Sequence, residues 1–222
     1  MGEANSEFAR DLMDTPVDWR RIASVVPNAT LFGDKAVTPT DVVNGSIGNC
    51  WFMSAVAGLA EHEGKVEKLF LNSGNGQSRN GIYGVNMYTM GIPHTILVDD
   101  YVPVSDAGNG QHYTIYQDID ETIGVWGPLL EKALAKRFGN YEHIVGGLPS
   151  RATRMLTGAP YEEFVHHNSN ANTIWQLVAS HNGVDDFITG GTEGNEDRFN
   201  MKAFQYGLES SSAYTIIGAY EK

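Results

Sequence analysis

The sequence of 222 residues lacks three features that mark common protein classes. It has a single cysteine, Cys50, which excludes an internal disulfide and a zinc site built on several cysteines. Basic residues are few: 15 lysines and arginines stand against 27 acidic residues, and the net charge of −12 argues against a nucleic-acid-binding surface. No apolar run approaches the roughly 18 residues that cross a bilayer. The absences predict an intracellular, cytoplasmic protein without a transmembrane segment.

The N-terminus, MGEANSEFARD, also lacks the apolar core of a secretory signal. Gly2 and Ser6 fit the pattern for N-terminal myristoylation, although a glycine after the first methionine is also common without acylation. One acyl chain alone anchors a protein only weakly. Acylation at Gly2 therefore stays an open alternative.

The patterns along the chain predict an α+β protein with a helix-rich first half and a β-rich second half. Residues 1–40 form a lead-in segment, residues 41–147 a helical subdomain and residues 148–222 a partial β-rich subdomain, with the boundary at Gly146–Gly147. The predicted helices are CWFMSAVAGLA, PLLEKALAKRFG, SRATRMLTG and NTIWQLVAS, with a short helical piece at WRRIASVV. The predicted strands are IYGVNMYT, HTILVDDYVPV, YEEFV, VDDFITG and AYTIIGAYE.

The stretch NGSIGNCWFMSAVAGLA carries the most chemical information in the sequence. We expect Asn49 to cap the helix and Cys50 to lie in its first turn, where unpaired backbone N–H groups and the helix dipole favour a thiolate. Asn44, six residues upstream, offers an amide that can donate to a developing oxyanion. Cys50 is thus a candidate nucleophile. The alternative is that it is a small buried residue at a helix start.

Several segments in one order resemble the calpain cysteine peptidases. In that family the nucleophile lies in Q-G-x-x-G-D-C-W, and this chain has N-G-S-I-G-N-C-W at 44–51, so Asn44 stands at the oxyanion glutamine and Asn49 at the aspartate. Further segments match the family at 31–41, 81–104, 125–147 and 152–164: LFGDKAVTPTD, GIYGVNMYTMGIPHTILVDDYVPV, VWGPLLEKALAKRFGNYEHIVGG and ATRMLTGAPYEEF. The resemblance implies a papain-like fold of two subdomains, with the last strands of the second one beyond the end of this sequence.

One departure from the family pattern bears directly on catalysis. The family has its base histidine in G-x-x-x-G-H-A-Y, where this chain has G-L-E-S-S-S-A-Y at 207–214, so Ser212 occupies the base position. The last histidine of the chain is His181. A cysteine nucleophile needs an imidazole to hold the thiolate and to protonate the leaving amine, and a serine hydroxyl does neither. We therefore expect peptide hydrolysis to be very slow or absent.

The resemblance also implies calcium sites in the peptidase core. Asp41 matches the family's aspartate ahead of the nucleophile and is the candidate metal ligand. Calcium requires six to eight oxygen ligands, and at the position of a second family ligand this chain has Gly124. Calcium binding at Asp41 is thus an expectation that the sequence supports only in part.

Three functional hypotheses remain at this point. The first is a calpain-like domain with impaired catalysis that uses the inherited cleft to bind a polypeptide substrate or protein partner in a regulatory role. The second is an active calcium-dependent cysteine endopeptidase represented by an incomplete or altered chain. The third is a transglutaminase-like acyl transferase, which needs the same missing histidine.

Overall fold

A computed structural model describes residues 17–45, 47–72, 74, 76–106, 112–114, 117, 119–181, 186–192 and 205–221. The α-helices there are α1 (Ile22–Val25), α2 (Cys50–Ala60), α3 (Trp126–Phe138), α4 (Pro149–Thr157) and α5 (Ala171–Ser180). The strands are β1 (Asp18–Arg21), β2 (Ile82–Thr89), β3 (Ile92–Asp99), β4 (Tyr101–Asp106), β5 (His112–Thr114), β6 (Ile188–Gly191) and β7 (Ala213–Ile216). Short 3₁₀ helices lie at Pro39–Asp41, Glu67–Leu69, Glu142–Ile144 and His166–Asn168.

Helix α2 forms where its apolar run predicted a buried helix. Nine of its eleven residues are buried, so it packs on nearly all sides. Helix α3 begins at Trp126, two residues before the predicted start, and places Leu129, Leu130, Ala133 and Leu134 in the core. The two helices form the centre of the hydrophobic core.

The strands form three small antiparallel sheets, ordered β1-β4-β5, β2-β3 and β6-β7. In the β2-β3 hairpin Ile82 pairs with Asp99 and Thr89 with Ile92. The run HTILVDDYVPV, predicted as one strand, is divided between β3 and β4, because the buried Asp100 turns inward and its carboxylate accepts a hydrogen bond from the Arg21 guanidinium at 2.8 Å. The chain thereby passes from one sheet to the next.

The hydrophobic core lies within residues 22–156. All buried apolar side chains among the described residues fall in that range, and from the later part Phe187 and Ala213 pack against the core while half-buried. Helix α4 follows the predicted boundary at Gly146–Gly147, yet its Ala152, Met155 and Leu156 lie in this core. The division into subdomains stays a prediction.

One local prediction was wrong, and another is confirmed only in part. YEEFV, predicted as a strand, is irregular and exposed at 161–165, since no described strand pairs with it. WRRIASVV, predicted as a helical piece, instead contributes most of β1 and then the single turn of α1, because Trp19–Arg21 pair with β4.

Among the described residues, no helix is both long enough and apolar enough to span a bilayer. Gly2 and Ser6, which carry the acylation pattern, lie outside the described residues.

Candidate active site

Cys50 is the first residue of α2 and is half-buried. The carbonyl oxygen of Asn49 accepts the first hydrogen bonds of the helix, from the backbone N–H groups of Phe52 at 2.8 Å and Met53 at 3.1 Å. The thiol therefore lies beside the helix N-terminus, where the partial positive charge of the backbone favours an anion. This is the environment that the sequence predicted for a nucleophile.

The segment 144–147 covers the start of α2. Trp51 is buried and its indole N–H donates to the carbonyl oxygen of Ile144 at 2.9 Å, while the backbone N–H of Gly146 donates to Gly48 at 3.0 Å. Gly147 packs closely against the Trp51 ring, so that a Cβ atom added at this position would come within 2.4 Å of the ring. The residue after the nucleophile is thus held by a second, distant stretch of chain.

The closeness of Gly147 to Trp51 gives a testable prediction. We expect Gly147→Ala to lower the free energy of unfolding by about 1–3 kcal/mol, because the new methyl group forces the buried indole to shift. Urea denaturation measures the change. Gly76→Ala is the matched control, since a Cβ atom at Gly76 meets no heavy atom within 4 Å. Equal stability of the two variants would contradict the packing described here.

Strand β7 reaches α2 one turn after the cysteine. The Thr215 hydroxyl donates to the carbonyl oxygen of Ser54 at 2.5 Å, and Ser212 lies three residues earlier, in the loop that precedes β7. The Ser212 hydroxyl donates to Ser210 at 3.2 Å, and its backbone N–H donates to the Thr192 hydroxyl at 3.1 Å. The structure therefore brings the β6-β7 sheet onto the nucleophile helix, although Cys50 and Ser212 share no hydrogen bond.

Ser211 has a left-handed backbone conformation with φ of 54°. Glycine adopts this conformation without strain, whereas residues with a Cβ atom seldom do. Position 211 is the one at which the family pattern G-x-x-x-G-H-A-Y has its second glycine. The assignment of Ser212 to the base position stays a prediction.

Three histidine side chains of the described residues make contacts with residues other than Cys50. The His62 ring lies 3.2 Å from the carbonyl oxygen of Asp186, the His181 ring 2.9 Å from the Asp186 carboxylate, and the His143 ring 2.8 Å from the carbonyl oxygen of Phe138. The side chain of His94 lies on the exposed face of β3, and that of His166 is exposed as well. No described histidine side chain forms a hydrogen bond with Cys50.

Asn44 lies in the stretch that leads into α2, and its side chain is exposed. Ser46, between Asn44 and the nucleophile, lies outside the described residues. The oxyanion role of Asn44 stays a prediction.

A buried polar network lies behind the nucleophile. The Asn49 amide donates to Glu131 Oε1 at 2.7 Å, and the backbone N–H of Gln117 donates to Glu131 Oε2 at 2.9 Å. Asn49 is 1% exposed and Glu131 is fully buried. Burial raises the pKa of the Glu131 carboxyl to about 7, from an ordinary value of 4.5, and the two hydrogen bonds offset this only in part.

Asp41 is also buried, and its carboxylate already has partners. Oδ2 accepts from the backbone N–H and hydroxyl of Thr38, and Oδ1 lies 3.1 Å from the Lys35 ammonium. Burial by itself would raise the pKa of Asp41, but the Thr38 hydrogen bonds and Lys35 hold it below its usual value. The described residues contain no group of three or more His, Cys, Asp or Glu side chains placed to hold a metal. Calcium binding at Asp41 stays a prediction.

Comparison with known proteins identifies the family of this chain. The family model described as calpain family cysteine protease matches residues 4–222. The chain belongs to the calpain family of cysteine proteases. Similar proteins include the calpain-type cysteine protease DEK1 of Arabidopsis thaliana, 34% identical over 216 residues, which cover 92% of this chain and 10% of that protein. Calpain-14 of Homo sapiens is 28% identical over 203 residues, which cover 91% of this chain and 28% of that protein.

This calpain-family chain spans only a small part of its relatives. The aligned region is 9% of the calpain-type cysteine protease ADL1 of Oryza sativa, which is 29% identical over 212 residues.

Sequence reasoning missed Glu131 as part of the site. It lies between Leu130 and Ala133 of the buried stripe of α3, and a charged residue at a buried helical position is rare unless it has a partner. The sequence contained a second indication of this network in Asn49, which stands where the family has aspartate. Asn49 was expected to cap α2, but its side chain makes no capping hydrogen bond and binds Glu131 instead.

Proposed function

We propose that this calpain-family domain has a papain-like arrangement of two subdomains, in which Cys50 stands at the nucleophile position and Ser212 at the position of the base. Peptide hydrolysis is then impaired, and the cleft binds a polypeptide substrate or a protein partner in a regulatory role. The contact between β7 and α2 supports this proposal most strongly, because it brings the loop that carries Ser212 to the helix that carries Cys50. Without an imidazole, a thiol loses the general acid–base help that is worth about 10²–10⁴-fold in rate.

A calcium-dependent active endopeptidase is the second candidate. The half-buried position of Cys50 at the start of α2 favours it, since the thiol keeps the surroundings of a nucleophile. Calcium dependence has less support, because the Asp41 carboxylate is already engaged by Thr38 and Lys35. Assays with and without added Ca²⁺ test that part separately.

The reaction of Cys50 with iodoacetamide tests the proposal. We expect Cys50 to react below pH 7 faster than N-acetylcysteine does, because the helix N-terminus favours the thiolate. We also expect the chain to hydrolyse fluorogenic peptides no faster than Cys50→Ala does, with or without Ca²⁺. Mass spectrometry follows the alkylation, which is unambiguous because the chain has one cysteine.

The outcomes separate the two candidates. Peptide hydrolysis that depends on Cys50 would show that the chain is an active endopeptidase and would contradict the proposal of impaired catalysis. A Cys50 thiol that reacts only as fast as the free amino acid at every pH would contradict the nucleophile position itself.

A further inference from the structure

The side chain of Asn49 is turned away from the helix that it precedes. Asparagine at an N-cap position usually accepts a hydrogen bond from a backbone N–H group of the first turn, which is worth about 1 kcal/mol. Asn49 makes no such bond, and its amide donates instead to the Glu131 carboxyl of α3. The residue directly before the nucleophile is therefore fixed by a carboxyl group on another helix.

Glu131 joins two stretches of chain at this point. Its second oxygen accepts from the backbone N–H of Gln117, and the Gln117 side chain donates to the carbonyl oxygen of Asp41 at 3.0 Å. Both the segment before α3 and the segment before α2 thus depend on one carboxyl group. Removing that group leaves buried donors without an acceptor, which is costly in a protein interior.

No cation faces this carboxyl among the described residues. Of the charged side chains on α3, Lys132 binds Asp99 and the carbonyl oxygen of Tyr101, Lys136 binds the carbonyl oxygen of Leu97 and Arg137 binds that of Tyr88. On the side of α2 the carboxyl meets the side chain of Asn49, which does not titrate and which directly precedes Cys50. Any charge on Glu131 therefore acts on the start of α2 without a countercharge.

The Asn49 amide suits both protonation states of Glu131. Its N–H group donates to the carboxylate, while its oxygen is buried without a hydrogen-bond partner in the structure. A protonated Glu131 has an O–H group that needs an acceptor, and a rotated Asn49 amide supplies its oxygen for this purpose. The pair can therefore stay together whether or not Glu131 carries charge.

We propose that Glu131 is a positioning residue for the Cys50 nucleophile: through Asn49 it fixes the start of α2, and its charge opposes ionisation of the thiol. The inference rests on the proposed role of Cys50. Glu131 reaches the nucleophile through a single residue, because its carboxyl accepts a hydrogen bond from the Asn49 side chain at 2.7 Å and Cys50 follows Asn49 directly in the chain. A charge in a protein interior acts on its neighbours more strongly than the same charge in water.

The test compares Cys50 alkylation by iodoacetamide in the unchanged chain and in Glu131→Gln between pH 5.5 and 8. Glutamine has the same shape and can bond both Asn49 and Gln117, but it carries no charge. We expect equal rates at pH 5.5, where Glu131 is protonated, and rates about three- to tenfold higher in the variant at pH 8. Glu162→Gln, which removes an exposed carboxylate, is the matched control and should follow the unchanged chain.

If Glu131 had only a structural role, Glu131→Gln would change the alkylation rate by the same factor at every pH. That result would overturn the inference, and so would identical pH profiles of the variant and the unchanged chain. The unchanged chain supplies a second readout that does not depend on the variant folding. Its logarithmic rate should rise with pH, flatten near neutrality as Glu131 ionises and rise again, and a single smooth rise would overturn the inference. If Cys50 does not react with iodoacetamide at all, the result would instead contradict the proposed function on which the inference rests.

Discussion

Ser212→His is expected to raise the rate of peptide hydrolysis by about 10²-fold over that of the unchanged chain. An imidazole at this position takes the proton from the Cys50 thiol and returns it to the leaving amine, and this help is worth about 10²–10⁴-fold. We expect the lower end of the range, because residues that act as one unit contribute fully only when all of them are present. A fluorogenic peptide assay measures the gain, with and without Ca²⁺.

The structure offers reasons to expect that the new side chain reaches the cleft. The Thr215–Ser54 hydrogen bond holds β7 on α2, so the loop before β7 stays near the helix that begins with Cys50. The left-handed conformation of Ser211 shows that this loop has the backbone shape for which the family pattern uses glycine. Ser211→Gly combined with Ser212→His should therefore exceed the single variant, because the strain at position 211 is removed as well.

Two control variants test whether the gain in hydrolysis requires the histidine at position 212 and the thiol of Cys50. Tyr206→His places a histidine on an exposed position of the same segment and should leave hydrolysis unchanged. Cys50→Ala combined with Ser212→His should abolish the gain. If Ser212→His gives no gain while Cys50 still reacts with iodoacetamide, the loop before β7 does not face the thiol, and the arrangement of the cleft proposed here is wrong.

Strong local patterns predicted most of the helices. The run from Cys50 to Ala60 is helical over its whole predicted length, because a mostly apolar run of eleven residues without proline has few alternatives in a buried position. Helices α4 and α5 also form at the predicted segments. The local sequence of such segments is sufficient to predict that they are helical.

The division between β3 and β4 could not be predicted, because it depends on a distant residue. Asp99 and Asp100 follow each other in an otherwise strand-like run, and the local pattern does not show that Asp100 turns inward to meet Arg21 at the end of β1. A hydrogen-bonded cation stabilises a buried carboxylate, and only the tertiary structure identifies the cation that binds Asp100 as a residue 79 positions away.

In the candidate site, too, a feature that depends on local sequence was predicted and one that depends on a distant residue was not. Cys50 was identified from the residues around it, since its placement at a helix start is a local property. Asn49 was assigned to the helix cap for the same local reason, and it does occupy the N-cap position. Its side chain makes no capping hydrogen bond, because Glu131, 82 residues later, binds it instead. The resemblance to the family indicated Ser212 as the base position. It did not indicate that Asn49, which stands where the family has aspartate, forms a hydrogen bond to Glu131 of α3.

Glu131→Gln is also expected to change how the stability of the chain depends on pH. Because burial raises the pKa of Glu131 to about 7 from 4.5, the folded chain holds this proton more tightly than the unfolded chain does. The resulting stability is complete below pH 4.5 and is lost as the pH rises to about 7. This change corresponds to about 3 kcal/mol, and a glutamine does not titrate.

The free energy of unfolding of the variant, relative to that of the unchanged chain, should therefore increase by about 3 kcal/mol between pH 4.5 and pH 8. Urea denaturation at a series of pH values measures this difference, and comparing the two chains cancels the titration of the histidines and other carboxylates that they share. Glu162→Gln should show no such trend, because its carboxylate is exposed in the folded chain. A difference that stays constant across this range would contradict the raised pKa of Glu131.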